Sequence, residues 1–282
     1  LHAATCQEAL DATLIGYRVA EDARVRLPVI VNIDGFYLSF TREPVTLPEP
    51  AAVAAFLPAF EPGDMAFRGG RPFSEAVAVL GGTPYSYFRY ETHAACLAGE
   101  AAFADAAADF AELSGRHHAA VACYRADDAD MVFVMLGSFA TKAMDAVDRL
   151  RDAGIRAGLV RPLLLRPFPA TMLKQALAGK RAVAVIDQNL STGRGGVLHS
   201  ELAAALYGIA DAPPVLASYI GGLGGRDIGA DEFYEIARET LAHADAGTLP
   251  APRLMYREDE LRQMRKLQAV AAAEREIMGG KA

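Results

Sequence analysis

The sequence predicts an α/β protein built on a parallel sheet. From about residue 126 onward, short apolar runs of strand length alternate with segments of helix length, joined by short Gly- and Pro-marked links. Runs such as Met131-Val-Phe-Val-Met-Leu136 are short enough to be buried strands. Alternation of this kind implies right-handed crossovers, with helices on the faces of the sheet.

Taken in order, Thr5 to Ala23 reads as a helix with Leu10, Leu14, Tyr17 and Val19 spaced for one buried face. Leu27-Pro-Val-Ile-Val-Asn-Ile33 reads as a compact buried strand, and Asp34-Gly35 as a turn into Phe36-Tyr-Leu-Ser-Phe40. A chain that opens so abruptly reads as the later part of a longer protein. Prolines at 44, 48, 50, 58, 62, 72 and 84, with two Gly pairs, forbid long helices over residues 43–84 apart from about Ala51 to Leu57. That stretch is extended rather than disordered, because Phe56, Leu57, Phe60 and Phe67 need somewhere to pack. Glu91 to Leu113 reads as one long Ala-rich helix.

Met131 to Leu136 is then a strand, Gly137-Ser138 a turn, and Thr141 to Ala153 a helix capped by Gly154. Ala157 to Leu163 is a second strand, and Pro167-Phe-Pro169 introduces a helix through Leu177. A third strand, Ala182 to Ile186, ends at Asp187. The loop Ser191-Thr-Gly-Arg-Gly-Gly196 leads into a helix from His199 to Tyr207, and Pro214 to Ser218 is a fourth strand. A Pro-containing linker from Thr248 precedes a helix from Tyr256 to Ile277, with Leu261, Met264, Leu267 and Val270 on one stripe and a Glu258–Arg262 pair. That helix either lies along its own domain or docks a partner subunit.

Composition narrows the function classes. The 282 residues are 52% hydrophobic and 22% charged, with 28 Lys and Arg against 35 Asp and Glu, a net charge of −7. Such a chain is large enough for two domains. Its acidic balance argues against an electrostatic grip on nucleic acid, and no apolar run reaches membrane-span length. Three scattered cysteines without a C-x-x-C suit a reducing cytoplasm and cannot alone hold a four-cysteine iron–sulfur cluster. The six histidines show no H-E-x-x-H, His117-His118 reads as a solvated helix end or turn, and no metal site is expected.

Four places are candidate sites. Gly193-Arg194-Gly195-Gly196 stands between a strand and a helix start, where backbone N–H groups hold a phosphate or carboxylate or where Gly simply permits a tight turn. Gly137 and Ser138 close a strand at the end where open α/β sheets place ligands; the plainer reading is an N-terminal helix cap, which Ser138, or Thr141 just after it, serves well. Gly221-Gly-Leu-Gly-Gly-Arg226-Asp227 allows close backbone approach, with Arg226 and Asp227 pairing with each other or with a partner. Asp34 presents a carboxylate after an apolar run, at a turn that is otherwise unremarked. No G-x-S-x-G and no Ser, His and Asp arrangement suggests a hydrolase.

Pro28-Val-Ile-Val-Asn-Ile-Asp-Gly-Phe-Tyr-Leu-Ser39, followed by Glu43-Pro-Val45 and Phe56-Leu-Pro58, resembles the alpha subunit of 2-oxoacid:ferredoxin oxidoreductases, the pyruvate enzyme above all. Ala129-Asp130, Leu136-Gly-Ser138, Arg166-Pro-Phe-Pro169, Val185-Ile-Asp187 and Gly221 to Asp227 agree in order, so the resemblance covers about residues 5–240. It implies that residues 1–42 are the C-terminal end of a thiamine-binding (pyrimidine) domain and 43–120 a connector with the long helix. Residues 121–247 would be a transketolase-C-terminal-like domain; 248–282, outside the resemblance, are read from their own pattern as a linker and C-terminal docking helix.

The resemblance further implies a cytoplasmic, CoA-acylating enzyme subunit that is inactive alone. Thiamine diphosphate with Mg²⁺ would be shared with a beta subunit, coenzyme A would be a co-substrate, and 4Fe-4S clusters would sit only in partner subunits. Partners would be beta-, gamma- and delta-type subunits and ferredoxin or an NAD-reducing flavin subunit. The family's catalytic residues are expected in an earlier part, so none is carried over; Asp34, Ser39 and Phe40 are candidate cleft residues. Where the family pattern D-G-F-x-L-[ST]-H has His, this chain has Phe40. A larger or aromatic side chain on the 2-oxoacid, as in an aryl glyoxylate, would suit that ring; packing of Phe40 in the interior is the alternative. A transketolase-like or dehydrogenase-E1-like subunit and a non-catalytic assembly module are the competing functions.

Overall fold

The computed structural model describes residues 1–63, 66–72 and 81–279. Six strands form one sheet in the order β1-β3-β2-β4-β5-β6: β1 (Val121–Tyr124), β2 (Met131–Met135), β3 (Ala157–Pro162), β4 (Ala182–Asp187), β5 (Val215–Ile220) and β6 (Arg253–Leu254). Every pairing is parallel except that of the edge strand β1 with β3. The predicted parallel α/β sheet is therefore present. The sequence reading had four of its strands and lacked β1 and β6, which are too short or too polar to stand out as apolar runs.

Both faces are covered. Met131, Phe133 and Met135 point to one side, where α4 (Phe139–Asp152) and α7 (Ala230–Ala246) cover them with Val147, Leu150, Phe233 and Ile236. Val132, Val134, Val183 and Val185 point to the other, under α5 (Ala170–Leu177) and α6 (Val197–Leu206) with Leu173, Leu177, Leu198 and Leu202. All five residues of β2 and all six of β4 are buried, as strands covered on both sides require.

A second core holds the N-terminal part against this sandwich. Ile15 and Val19 of α1 (Cys6–Glu21) meet Phe103, Ala106 and Phe110 of α3 (Gly82–Ser114), with Phe56 of α2 (Pro50–Phe56) and Leu163 at the end of β3. The buried face of α1 is Asp11, Ala12, Ile15, Gly16 and Val19, and Tyr17 is exposed, so the predicted face is rotated. A buried carboxylate explains the rotation. Asp11 accepts from Arg116 Nε and Nη2 at 2.7 and 2.8 Å, from His118 Nε2 at 2.9 Å and from Gln7 at 2.9 Å. Beside it, Glu8 accepts two bonds from Arg161 of β3 at 2.6 and 3.0 Å. His118 is thus enclosed between helix and sheet, not a solvated turn residue.

Four other expectations are corrected. Among the described residues, Leu27–Ile33 is extended but joins no sheet and has one bridge, His2 to Asn32; Ile30 and Ile33 are exposed. Apolar content alone mistook it for a core strand. The long helix α3 begins at Gly82 rather than Glu91, because Pro84 falls in the first turn, where its missing N–H costs nothing. Between β5 and β6 stands α7, which was not predicted. The C-terminal helix α8 (Glu258–Gly279) does not lie along its own domain. Arg226 holds Glu260 in its first turn at 2.6 and 2.8 Å, while Leu267 and Val270 beyond it are exposed. The Glu258–Arg262 contact is only 3.9 Å at the surface.

Asp11→Ala leaves Arg116 and His118 facing an apolar gap and is expected to cost about 3 kcal/mol in denaturant unfolding. Burial pushes the Asp11 carboxyl up, but bonds from Arg116, Gln7 and His118 outweigh it and hold it below the usual range. Its contribution is therefore complete above its unfolded value of 3.8 and is lost as pH falls through the lower folded value. Urea midpoints between about pH 5 and pH 2 should fall more steeply for the native chain than for Asp11→Asn.

Candidate functional site

The strand order reverses between β2 and β4: the chain leaves β2 for β3 on one side and returns to place β4 on the other. The loop after β2 rises to α4 on one face, and that after β4 to α6 on the opposite face. Their divergence opens a crevice at the strands' carboxyl ends, the general ligand position in open α/β sheets. A cavity of about 190 Å³ lies there, lined by His2, Asn32, Asp34, Asp187, Gln188 and Asn189 among others.

Each wall is a helix N-terminus, and each already holds a carboxylate of this chain. Asp34 reaches in from the N-terminal part, where its Oδ2 accepts from the Ser138 backbone N–H and from Ser138 Oγ, the latter at 2.6 Å. Asp187, the last residue of β4, accepts from Leu198 N–H at 2.8 Å, His199 N–H at 3.1 Å and Asn189 Nδ2 at 3.3 Å. Burial pushes the Asp187 carboxyl up, and the two amides oppose that. A helix N-terminus favours an anion; here the anions are internal.

Two glycines make room for them. A Cβ on Gly137, whose φ is +69°, would fall on the Asp34 carboxylate, and one on Gly196 on that of Asp187. Ser138 occupies the N-cap position with α-helical backbone and makes no side-chain cap bond, its hydroxyl being given to Asp34. The helix-cap reading of Ser138 is thereby corrected: it is a latch.

Asp34 also organises the loop that follows. Its carbonyl accepts from Leu38 N–H at 3.1 Å and Ser39 N–H at 3.3 Å, while Ser39 Oγ accepts from Phe36 N–H at 3.0 Å. Phe36 takes φ +67°, a conformation costly for a residue with a Cβ. Tyr37 is clamped, its ring 4.6 Å from that of Phe139, with the Lys142 ammonium 4.8 Å above it. Lys142 in turn pairs with Asp227, whose carboxyl burial pushes up, while Lys142 and Tyr37 bring it to a net position below the usual range. The outcome is a pair of stacked rings, Phe36 and Phe40, centroids 5.3 Å apart and 62% and 77% exposed. Interior packing of Phe40 is excluded.

Of the residues singled out in the sequence, Asp34, Ser39, Phe40, Gly137, Ser138 and Asp227 thus belong to one assembly around the start of α4. Gly193, Arg194 and Gly195 form a tight hairpin closed by a Ser191–Gly195 bridge; Arg194 Nε donates to Ser200 Oγ at 3.2 Å. Arg226 pairs not with the Asp227 carboxylate but with Glu232 and Glu260. Tyr37, Lys142 and Gln188 were missed. Asp187 was legible only as the charged end of an apolar strand, a position at which sheets present ligand-facing residues.

Residues 1–104 match the family model described as pyruvate flavodoxin/ferredoxin oxidoreductase, thiamine diP-binding, and residues 129–233 match pyruvate:ferredoxin oxidoreductase core domain II. A pyruvate synthase subunit PorA from Methanothermobacter thermautotrophicus is 38% identical over 237 residues, covering 83% of this chain and 59% of the relative. The chain belongs to the alpha-subunit family of the 2-oxoacid:ferredoxin oxidoreductases. Within that family, PorA of Thermotoga maritima is 36% identical over 91% of this chain and 64% of its own length. The alpha subunit of NADH-dependent phenylglyoxylate dehydrogenase from Aromatoleum evansii is 35% identical over 86% and 60%. The chain thus spans about three-fifths of the length of the curated relatives it matches. A 2-oxoglutarate:ferredoxin oxidoreductase structure from Magnetococcus marinus overlaps 57% of this chain and 24% of its own at 16% identity and a TM-score of 0.39, too distant for residue correspondence.

Thiamine diphosphate has an anionic end and an apolar, heteroaromatic end. The described residues do not fit the anionic end: both helix N-termini at the crevice are filled by Asp34 and Asp187, and the described residues contain no cluster of three or more His, Cys, Asp or Glu side chains that would hold a metal.

Asp34→Ala is expected to release residues 34–40 while the sheet domain stays folded. Hydrogen exchange should then rise by about tenfold or more at Leu38 to Phe40, with little change in β2 and β4. Gly137→Ala should do the same by displacing the carboxylate, at a stability cost of about 1–3 kcal/mol.

Proposed function

We propose that the chain works as the alpha-type subunit of a thiamine-diphosphate-dependent 2-oxoacid oxidoreductase. The complex would convert a 2-oxoacid and coenzyme A to an acyl-CoA and CO₂. The observation that carries this reading is the ordered match of residues 1–104 and 129–233 to the thiamine-binding and core domain II models, with 38% identity to a pyruvate synthase subunit. In this reading the four segments 1–42, 43–120, 121–247 and 248–282 keep the roles implied above.

The chain's own part is structural and positional. Asp34 latches the 34–40 loop to α4, and Tyr37, Lys142 and Asp227 fix its orientation. The resemblance assigns the diphosphate with its Mg²⁺ to a beta-type partner, and a crevice whose helix N-termini already hold Asp34 and Asp187 is consistent with that assignment. The 4Fe-4S clusters belong to partner subunits as well, consistent with three dispersed free cysteines here. Electrons would pass on to ferredoxin or, through a flavin subunit, to NAD. No described helix is long and apolar enough to cross a membrane, and the complex is proposed to work in the cytoplasm.

A specific observation favours an aryl 2-oxoacid over pyruvate. The exposed Phe36–Phe40 stack offers an aromatic surface, and one relative is named for phenylglyoxylate. Offset and edge contacts between rings are worth about 0.5–1.5 kcal/mol.

The test is reconstitution with its partner subunits, followed by CoA-dependent acceptor reduction with pyruvate and with phenylglyoxylate. Activity that requires thiamine diphosphate and bound iron supports the reading; an active complex without iron favours the dehydrogenase-E1-like alternative, and no turnover removes the enzymatic one. Phe40→His is expected to move the kcat/KM ratio toward pyruvate by about tenfold, equivalent to about 1.4 kcal/mol.

A further inference from the structure

The loop between β5 and α7 ends in a clamp. Arg226 donates through Nε to Glu260 Oε1 at 2.6 Å, and through Nη2 to Glu260 Oε2 and Glu232 Oε1, both at 2.8 Å. Each carboxylate also holds a helix start. Glu232 Oε2 accepts from Gly229 N–H at 3.0 Å at the head of α7, and Glu260 Oε2 accepts from Arg257 N–H at 2.7 Å at the head of α8. One guanidinium thus joins two helix N-termini, and all three side chains are largely buried. A planar fork shared by two carboxylates fixes direction as well as distance.

The residue before the clamp is where the loop meets an aromatic ring. Gly225 has φ +82°, and a Cβ on it would lie 3.2 Å from Phe36 Cδ2 and 3.6 Å from Phe36 Cε2. The bare backbone of the loop therefore stands against the Phe36 ring. The residue after the clamp, Asp227, pairs with Lys142, whose ammonium lies over Tyr37. Phe36 itself sits at positive φ, is largely exposed and stacks on Phe40. A ring in that state is not fixed by burial, so its position depends on the few groups that stand against it.

We propose that Arg226 is a positioning residue for the Phe36–Phe40 surface. By holding the backbone at Gly225 it sets where the Phe36 ring stands, and with it the Phe40 ring stacked on it. The inference rests on the proposed function and deepens it by naming the group that sets the geometry of the surface offered to an aryl 2-oxoacid. Because Glu260 is half of the clamp, the same contacts run from the first turn of α8 to the rings. The head of α8 thereby takes part in substrate choice without touching the rings.

The test places 4-fluorophenylalanine at position 36 or 40 of the full chain and reads its fluorine resonance in otherwise native protein and in variants. Arg253→Ala is the matched control, since the two ion pairs it removes are to Glu235 and Glu239 of the same helix α7. Stacking displaces each resonance from its position in the denatured chain. Arg226→Ala is expected to lose most of that displacement at both positions, and Arg253→Ala to keep it. Arg226→Lys retains the charge but not the fork, and should recover only part. Gly225→Ala leaves the ion pairs in place and should move the resonance at 36 by pushing the ring directly. In the complex reconstituted with its partner subunits, Arg226→Ala should lower the kcat/KM ratio of phenylglyoxylate to pyruvate by about threefold to tenfold, the worth of one ring contact.

Resonances that stay displaced in Arg226→Ala, or that collapse equally in Arg253→Ala, overturn the proposal. Arg226 would then only tie two helix starts together, which lowers the unfolding temperature and leaves the rings alone. Glu260→Ala removes half of the clamp from the α8 side and serves where Arg226→Ala does not fold. A smaller loss of displacement is expected there, and unchanged resonances overturn the proposal. Rings that respond to these variants while the substrate ratio stays fixed uphold the positioning role and remove the aryl reading of the surface, so the two failures are told apart.

Discussion

The structure depends on one carboxylate placed where a ligand's anion would otherwise sit. Asp34 crosses from the N-terminal part to the first backbone N–H of α4, and a helix N-terminus is the strongest anion-attracting feature a neutral backbone offers. Everything near it follows from that contact. Gly137 must lack a Cβ, Ser138 must give its hydroxyl to Asp34 rather than to its own helix, and the backbone after Asp34 must turn sharply enough to put Phe36 at positive φ. Strain of that kind persists only where surrounding contacts over-determine it. Tyr37, wedged between Phe139 and Lys142, provides the clamp.

A second polar contact fixes the other end of the N-terminal part. Asp11 is fully buried, yet a guanidinium, an imidazole and an amide converge on it, so the charge is compensated where it stands. Glu8 and Arg161 repeat the arrangement one turn away. Apolar packing between α1 and α3 supplies adhesion without direction. The paired charges add direction, because a bidentate guanidinium accepts a carboxylate in only a narrow range of geometries. Between them, Asp11 and Asp34 set how residues 1–40 lie on the sheet domain.

The division between what was readable and what was not follows from the range of each interaction. Strands β2, β3, β4 and β5, helices α4, α5 and α6, and the parallel sheet were legible because periodicity and turn residues are local. Ser138 and Asp34 were both singled out, each with a bland alternative beside it, because their meeting spans 104 residues and no local signal reports it. His118 was misread for the same reason: its partners Asp11 and Glu8 are more than a hundred positions away. Leu27–Ile33 was misread in the opposite sense. Its composition suits a sheet interior, but whether a strand is interior depends on neighbours that composition does not count.

Family membership was legible in the order of short motifs along about residues 5–240, and the two family models agree with that order. The sequence alone also determined the α/β class, since strand and helix periods are written into each segment separately. Only the tertiary structure decided that Phe40 is displayed rather than packed, that the crevice between β2 and β4 carries its own anions, and that, among the described residues, 27–33 join no sheet. Each of these is a relation between residues far apart in the chain, and burial, charge compensation and strand pairing come into being only when those residues meet.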